Sequence, residues 1–133
     1  MKRPFAAYLT ESLDRIAGDV PWAYAAILAR LGARVVRVRL SGEALTIRGD
    51  GGRVRLGDDG SGDVEVSTVR AELVALADGE MTLEEAVTAE RLELRGRVDD
   101  LMAGLLALEA YLHGAVRCPE LSGLMDAFRE DVG

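Results

Sequence analysis

Cysteine occurs once in the 133 residues, as Cys118. One thiol allows no internal disulfide and no Cys-x-x-Cys metal clip, so a reducing cytoplasm is the expected compartment. Lysine also occurs once, as Lys2, and arginine supplies the other positive charges. With many Ala and Gly, that balance is the codon signature of a GC-rich bacterial genome. Aromatic residues are scarce, at 5%, so Leu, Val and Ala must fill the interior. Such an interior can close tightly or leave an adaptable aliphatic cavity. No apolar run approaches the roughly 20 residues that cross a bilayer. The N-terminal stretch MKRPFAAYLTESLDRIAG reaches Glu11, Asp14 and Arg15 before any apolar region develops, which is not the pattern of a signal peptide. Positive charge is in deficit overall, with a net of −7, which argues against a nucleic-acid partner.

What is present is ordinary globular material, 49% apolar and 29% charged. The length suits one domain over 1–133, with no linker or repeat. Charge is uneven along it: residues 1–57 carry a net +5 and residues 58–133 a net −12.

Phe5, Leu9, Leu13 and Ile16 recur at helical spacing, which predicts a helix over 4–17 closed by Gly18. Pro21 opens a second helix, ended by Gly32. From residue 34 the period becomes two. RVVRVRL, EALTIRG and RVRL alternate around turns at Ser41-Gly42 and Asp50-Gly51-Gly52, an antiparallel meander. Residues 57–63 read as a loop and 64–66 as a fourth strand. Thr68 is an expected helix cap, and Thr82 with Glu85 forms a capping box. Residues 91–95 alternate as a fifth strand with Leu92 and Leu94 inward. Asp99 or Asp100 starts a helix on which Leu101, Leu105, Leu108 and Leu112 form one stripe, while Met102, Leu106 and Tyr111 cover another side. A helix apolar nearly all round is buried between layers or lines a cavity. Pro119 begins the last helix. These elements predict an α+β fold: a five-stranded, mostly antiparallel sheet with one aliphatic face under helices.

The segment LVALADGEMTLEEAVTAERLELRG at 73–96 narrows this. A helix ends at Asp78-Gly79-Glu80. A short helix follows at Thr82-Leu83-Glu84-Glu85-Ala86, then the strand Arg91–Gly96, then the leucine-rich helix from Leu101 to Leu112. In content and order this resembles the sterol-carrier-protein type 2 family, the non-specific lipid-transfer proteins. The chain departs from the family at Glu90, where the family has glycine before the fifth strand. The resemblance implies an apolar tunnel between sheet and helices that holds a fatty-acyl, sterol-like or polyketide-like molecule. It nominates Leu73, Leu76, Met81, Leu83 and Leu101 as lining. Leu105, Leu108, Leu112, Leu124 and Phe128 complete that set, although each would also serve as plain core. The implied function is binding and carrying a hydrophobic small molecule. The alternatives are a small enzyme that cyclises or rearranges such a molecule in the same cavity, and an interaction domain whose cavity has collapsed.

Arg37, Arg39, Arg48, Arg53 and Arg55 share the outward face of the meander. They could meet an anionic membrane surface or a carrier protein; the favoured reading is a solvated face partly paired with Glu65 and Glu93. Acid–base candidates for the enzyme alternative are Tyr111, Arg70, Glu109 and His113. His113 with Cys118 invites a nucleophile–base reading, but five residues exceed one helical turn. No cofactor and no metal are expected. The 57–63 loop lacks a calcium-binding glutamate, since counting twelve from Asp58 or Asp59 reaches Val69 or Arg70. Its aspartates would also repel phosphate.

Overall fold

Two helices come first, α1 (Phe5–Asp19) and α2 (Pro21–Leu31), in a computed structural model that describes residues 3–58 and 60–132. Lys2 and Asp59, both used in reading the sequence, lie outside the described residues. α1 buries Tyr8, Ser12, Leu13 and Ile16, one face at helical spacing. Pro21 sits in the first turn of α2, where a missing N–H breaks no bond.

β1 (Val35–Leu40), β2 (Glu43–Asp50) and β3 (Arg53–Gly57) form the two expected hairpins. Each turns in two residues, Ser41-Gly42 and Gly51-Gly52, all with positive φ. That type I′ geometry matches the twist of the flanking strands. β4 (Val64–Thr68) does not extend the meander beyond β3. It crosses to the other side of β1 and pairs with it in parallel. Asp63 anchors the crossing: its N–H donates to the Val35 carbonyl, and its carboxylate accepts the Val35 N–H, each at 2.8 Å. β5 (Glu93–Gly96) pairs antiparallel with β4, giving the order β3-β2-β1-β4-β5. Strand periodicity reports which face a side chain takes and is silent on which strand lies alongside.

The register sorts the side chains. Val36, Val38, Leu45, Ile47, Leu56, Val64, Val66 and Leu94 share one face. Arg37, Arg39, Arg48, Arg55, Glu65 and Arg95 share the other. Helices α3 (Arg70–Ala77), α4 (Leu83–Thr88), α5 (Val98–Val116) and α6 (Leu121–Val132) complete the chain.

Local chemistry shifts some boundaries. The capping box at α4 forms as expected: the Thr82 hydroxyl accepts from the Glu85 N–H, and the Glu85 carboxylate accepts from the Thr82 N–H. Thr68 does not cap α3. The ladder claims it opposite Leu40, its hydroxyl donates to the Arg91 carbonyl at 2.9 Å, and Val69 takes the cap position without a side-chain bond. The fifth strand starts at Glu93, with Leu92 buried just before it. Pro119 stands in the turn ahead of α6, where its carbonyl accepts the Ser122 hydroxyl at 3.1 Å.

α5 packs on the molecule through its small residues. Ala107 and Gly114 are its buried positions. A Cβ on Gly114 would lie 2.9 Å from Ile16 Cγ2 and 3.0 Å from Ala23 Cβ. Gly104 passes over Val64 at van der Waals distance. Tyr111 lies on the same side, and its hydroxyl donates to Ser12 Oγ at 2.7 Å. The leucine stripe of α5 is turned about 100° from this face, given 3.6 residues per turn. Met102 and Leu106 are exposed, so α5 is not sandwiched between layers.

Gly114→Val should destabilise the protein by roughly 2–3 kcal/mol in denaturant unfolding, because neither Ile16 nor Ala23 has room to retreat. Glu90 has φ +59°, the left-handed conformation that glycine adopts freely. Glu90→Gly should therefore stabilise by about 1 kcal/mol in the same assay.

Candidate functional site

The aliphatic face of the sheet is unevenly covered. At one end Leu13, Ile27, Leu31, Val36, Val64 and Ala107 form a buried cluster. At another, Met81, Ala86 and Leu92 form a second under α3 and α4. Between them lie Val38 and Val66, opposite each other on the paired central strands β1 and β4. Both remain half-buried, although central-strand residues under a helical layer are ordinarily sealed.

The nominated lining residues divide by environment. Met81 is buried, with Leu76 and Leu83 packed against its cluster, and Leu101 joins the first cluster. Leu124 packs against a third cluster built from Ile16, Val20, Ala23, Cys118 and Leu121. Phe128 is buried against Tyr8, with ring centroids 5.2 Å apart and nearly perpendicular planes. Leu73, Leu105, Leu108 and Leu112 are half-buried and belong to none of the three clusters. The half-buried set thus brings together the leucine stripe of α5, Leu73 of α3 and the central valines. Two surface depressions lie elsewhere and are polar. One of about 620 Å³ is lined by Arg37, Gly60, Ser61, Gly62 and Glu65. The other, of about 430 Å³, lies between α1 and β3.

The acid–base candidates are separated. Glu109 and His113 face solvent, 4.0 Å apart, with side chains 60% and 57% exposed. The Tyr111 hydroxyl is committed to Ser12, whose own hydroxyl donates to the Leu9 carbonyl at 2.8 Å. Burial holds the Tyr111 phenol above its ordinary pKa, and the Ser12 bond opposes that only in part. His113 and Cys118 do not meet. His113 is exposed on α5, while Cys118 is buried beyond its end and donates its S–H to Asp19 at 3.1 Å. Among the described residues, no group of three or more His, Cys, Asp or Glu side chains could hold a metal ion.

On the arginine face, Arg37 pairs with Glu65 at 2.8 Å and Arg55 with Asp50 at 3.2 Å. Arg39, Arg48 and Arg53 form no ion pair among the described residues.

Sequence reasoning missed Arg70 as a structural centre. Its guanidinium is buried, with Nη2 donating to Glu43 Oε2 at 2.7 Å and to the Arg3 carbonyl at 2.8 Å. The alternation of 43–49 places Glu43 at a strand end, but nothing local says that it will receive an arginine from residue 70.

Burial first, and then the bond to Asp19, push the Cys118 thiol above its ordinary pKa. Less thiolate forms and little of it is reachable, so iodoacetamide at pH 8 should alkylate the native protein far more slowly than the urea-unfolded chain. Equal rates would contradict this placement.

Comparison with solved structures returns one fold. A ubiquinone synthesis protein described as UbiJ-SCP2 aligns with a TM-score of 0.57 at 22% identity, over 80% of this chain and 99% of that one. The sterol carrier protein domain 2 of Helicoverpa armigera aligns with a TM-score of 0.57 at 14% identity, over 79% and 86% of the two chains. A palmitated sterol carrier protein 2-like 2 from Aedes aegypti gives 0.50 at 19% identity, over 83% and 95%. No curated protein matches the chain in sequence. The model of the SCP-2 sterol transfer family matches residues 13–105, from the middle of α1 to the middle of α5. That span contains the whole sheet and both hairpins, and the chain belongs to the SCP-2 sterol transfer family.

Proposed function

We propose that this protein binds an aliphatic small molecule along the leucine stripe of α5 and carries it without altering it. One observation carries the reading: Val38 and Val66 at the centre of the sheet stay half-buried beside Leu105, Leu108 and Leu112, which no packed cluster claims. An acyl chain laid there would complete their burial. Each methylene transferred from water contributes about 0.8 kcal/mol, so a long chain needs few polar contacts. The Aedes aegypti relative is described in its palmitated form, and the proposal extends that ligand class to this chain.

The positions of the polar groups support a carrier over a catalyst. Glu109 and His113 face water, where an ion pair contributes little, and Tyr111 is held by Ser12. The arginine face is read as solvated, because Glu65 and Asp50 already answer two of its charges. A role for it at an anionic surface would rest on Arg39, Arg48 and Arg53.

Two measurements test the reading. An environment-sensitive fatty-acyl probe should bind with micromolar or tighter affinity and be displaced by long-chain lipids. Leu105→Trp should abolish that binding while costing at most ~1–3 kcal/mol of stability, since the larger side chain fills unpacked space. A variant that unfolds, or one that still binds the probe, would remove α5 from the site.

A further inference from the structure

Arg70 opens α3 and is 5% exposed. Its neighbours come from four elements. Glu43 of β2 and the Arg3 carbonyl ahead of α1 accept from Nη2. The Phe128 ring of α6 lies 5.3 Å from the guanidinium carbon, and the Tyr8 ring of α1 lies 6.0 Å away. One atom is left over. Nη1 is buried and meets no hydrogen-bond acceptor. A buried guanidinium N–H without a partner is costly, and a fold keeps one when an acceptor arrives in use.

The acceptors already nearby are spoken for. Glu43 also receives the Phe5 N–H at 2.8 Å, and Asp131 receives the Tyr8 hydroxyl and the Arg3 N–H. With Glu43 and Asp131 flanking it, the site suits a monoanion better than a doubly charged phosphate. The position adjoins the proposed binding region. Leu73, three residues along α3 and so on the same helix face, is one of the half-buried leucines, and Phe128 is a nominated lining residue.

We infer that Arg70 Nη1 receives the carboxylate of the bound molecule, so that the ligand is a long-chain carboxylic acid with its head at Arg70 and its chain running from Leu73 toward the α5 leucines. This rests on the binding reading above and adds head-group selectivity to it. Phe128 must tilt aside for the carboxylate to reach Nη1.

The test is displacement of an uncharged apolar probe from the intact protein by dodecanoate, dodecanol and methyl dodecanoate. A charge-assisted bond in a buried setting should make the acid about ten- to a hundred-fold more effective than the other two. Equal displacement by all three would overturn the anchor and leave aliphatic binding standing. No binding of the probe would overturn both. Arg70→Met combined with Glu43→Leu removes the buried pair together and avoids stranding a carboxylate. It should erase the acid's advantage and leave dodecanol unchanged; a retained advantage would overturn the assignment. Should that variant fail to fold, the side-chain resonances of 15N-arginine-labelled native protein decide. The Arg70 signal should shift with dodecanoate and stay in place with dodecanol, and the absence of a selective shift would overturn the anchor.

Discussion

The contact of Gly114 with Ile16 and Ala23 determines where α5 lies, and the position of α5 determines how much of the sheet is covered. A helix that approaches its neighbours through Gly104, Ala107 and Gly114 sits close to them and cannot rotate without driving larger side chains into α1 and α2. Its leucines are therefore held to one side. They flank the sheet instead of sealing it, and Val38 and Val66 keep part of their surface. Dense packing on one face of α5 and incomplete packing on the next have the same origin.

The polar framework shows a comparable division. Buried polar groups are concentrated at joints between elements. Tyr111 and Ser12 join α5 to α1, and the Tyr24 hydroxyl accepts the Val54 N–H of the edge strand β3 at 2.8 Å. Arg34 and Asp100 join the start of β1 to the start of α5 at 2.8 Å. Arg70 is the most connected of these and the only one with an atom in reserve among the described residues. Joints of this kind specify how helices sit on the sheet, because a misplaced element would strand a buried charge.

The charge asymmetry between the halves of the chain is partly resolved by folding. Basic residues of the first half meet acidic residues of the second: Arg15 with Glu120, Arg34 with Asp100 and Arg37 with Glu65. These long-range pairs link segments far apart in sequence. A half of the chain is accordingly not a face of the molecule, and the surface left over is smaller in contrast than the sequence implies.

Much of the fold was written locally. Alternation in VVRVRL, the two glycine-bearing turns and the Thr82–Glu85 capping box each act within a few residues, so sheet, hairpins and α4 are legible from the chain. Length and order of those pieces also carried the family resemblance. Other features depend on partners distant in sequence. Periodicity could not place β4 beside β1 or assign Thr68 to a strand, because both depend on which edge is open. On α5 the leucines 101, 105, 108 and 112 look like the core-facing stripe, since hydrophobicity ranks leucine above alanine and glycine. Tertiary packing chose the small residues, because only they admit Ile16, Ala23 and Val64 at contact distance. The pairing of Arg70 with Glu43 was equally invisible, for a buried ion pair has no period and no spacing. Composition determined that this protein would have an aliphatic interior; close packing between distant segments decided which part of that interior stays open.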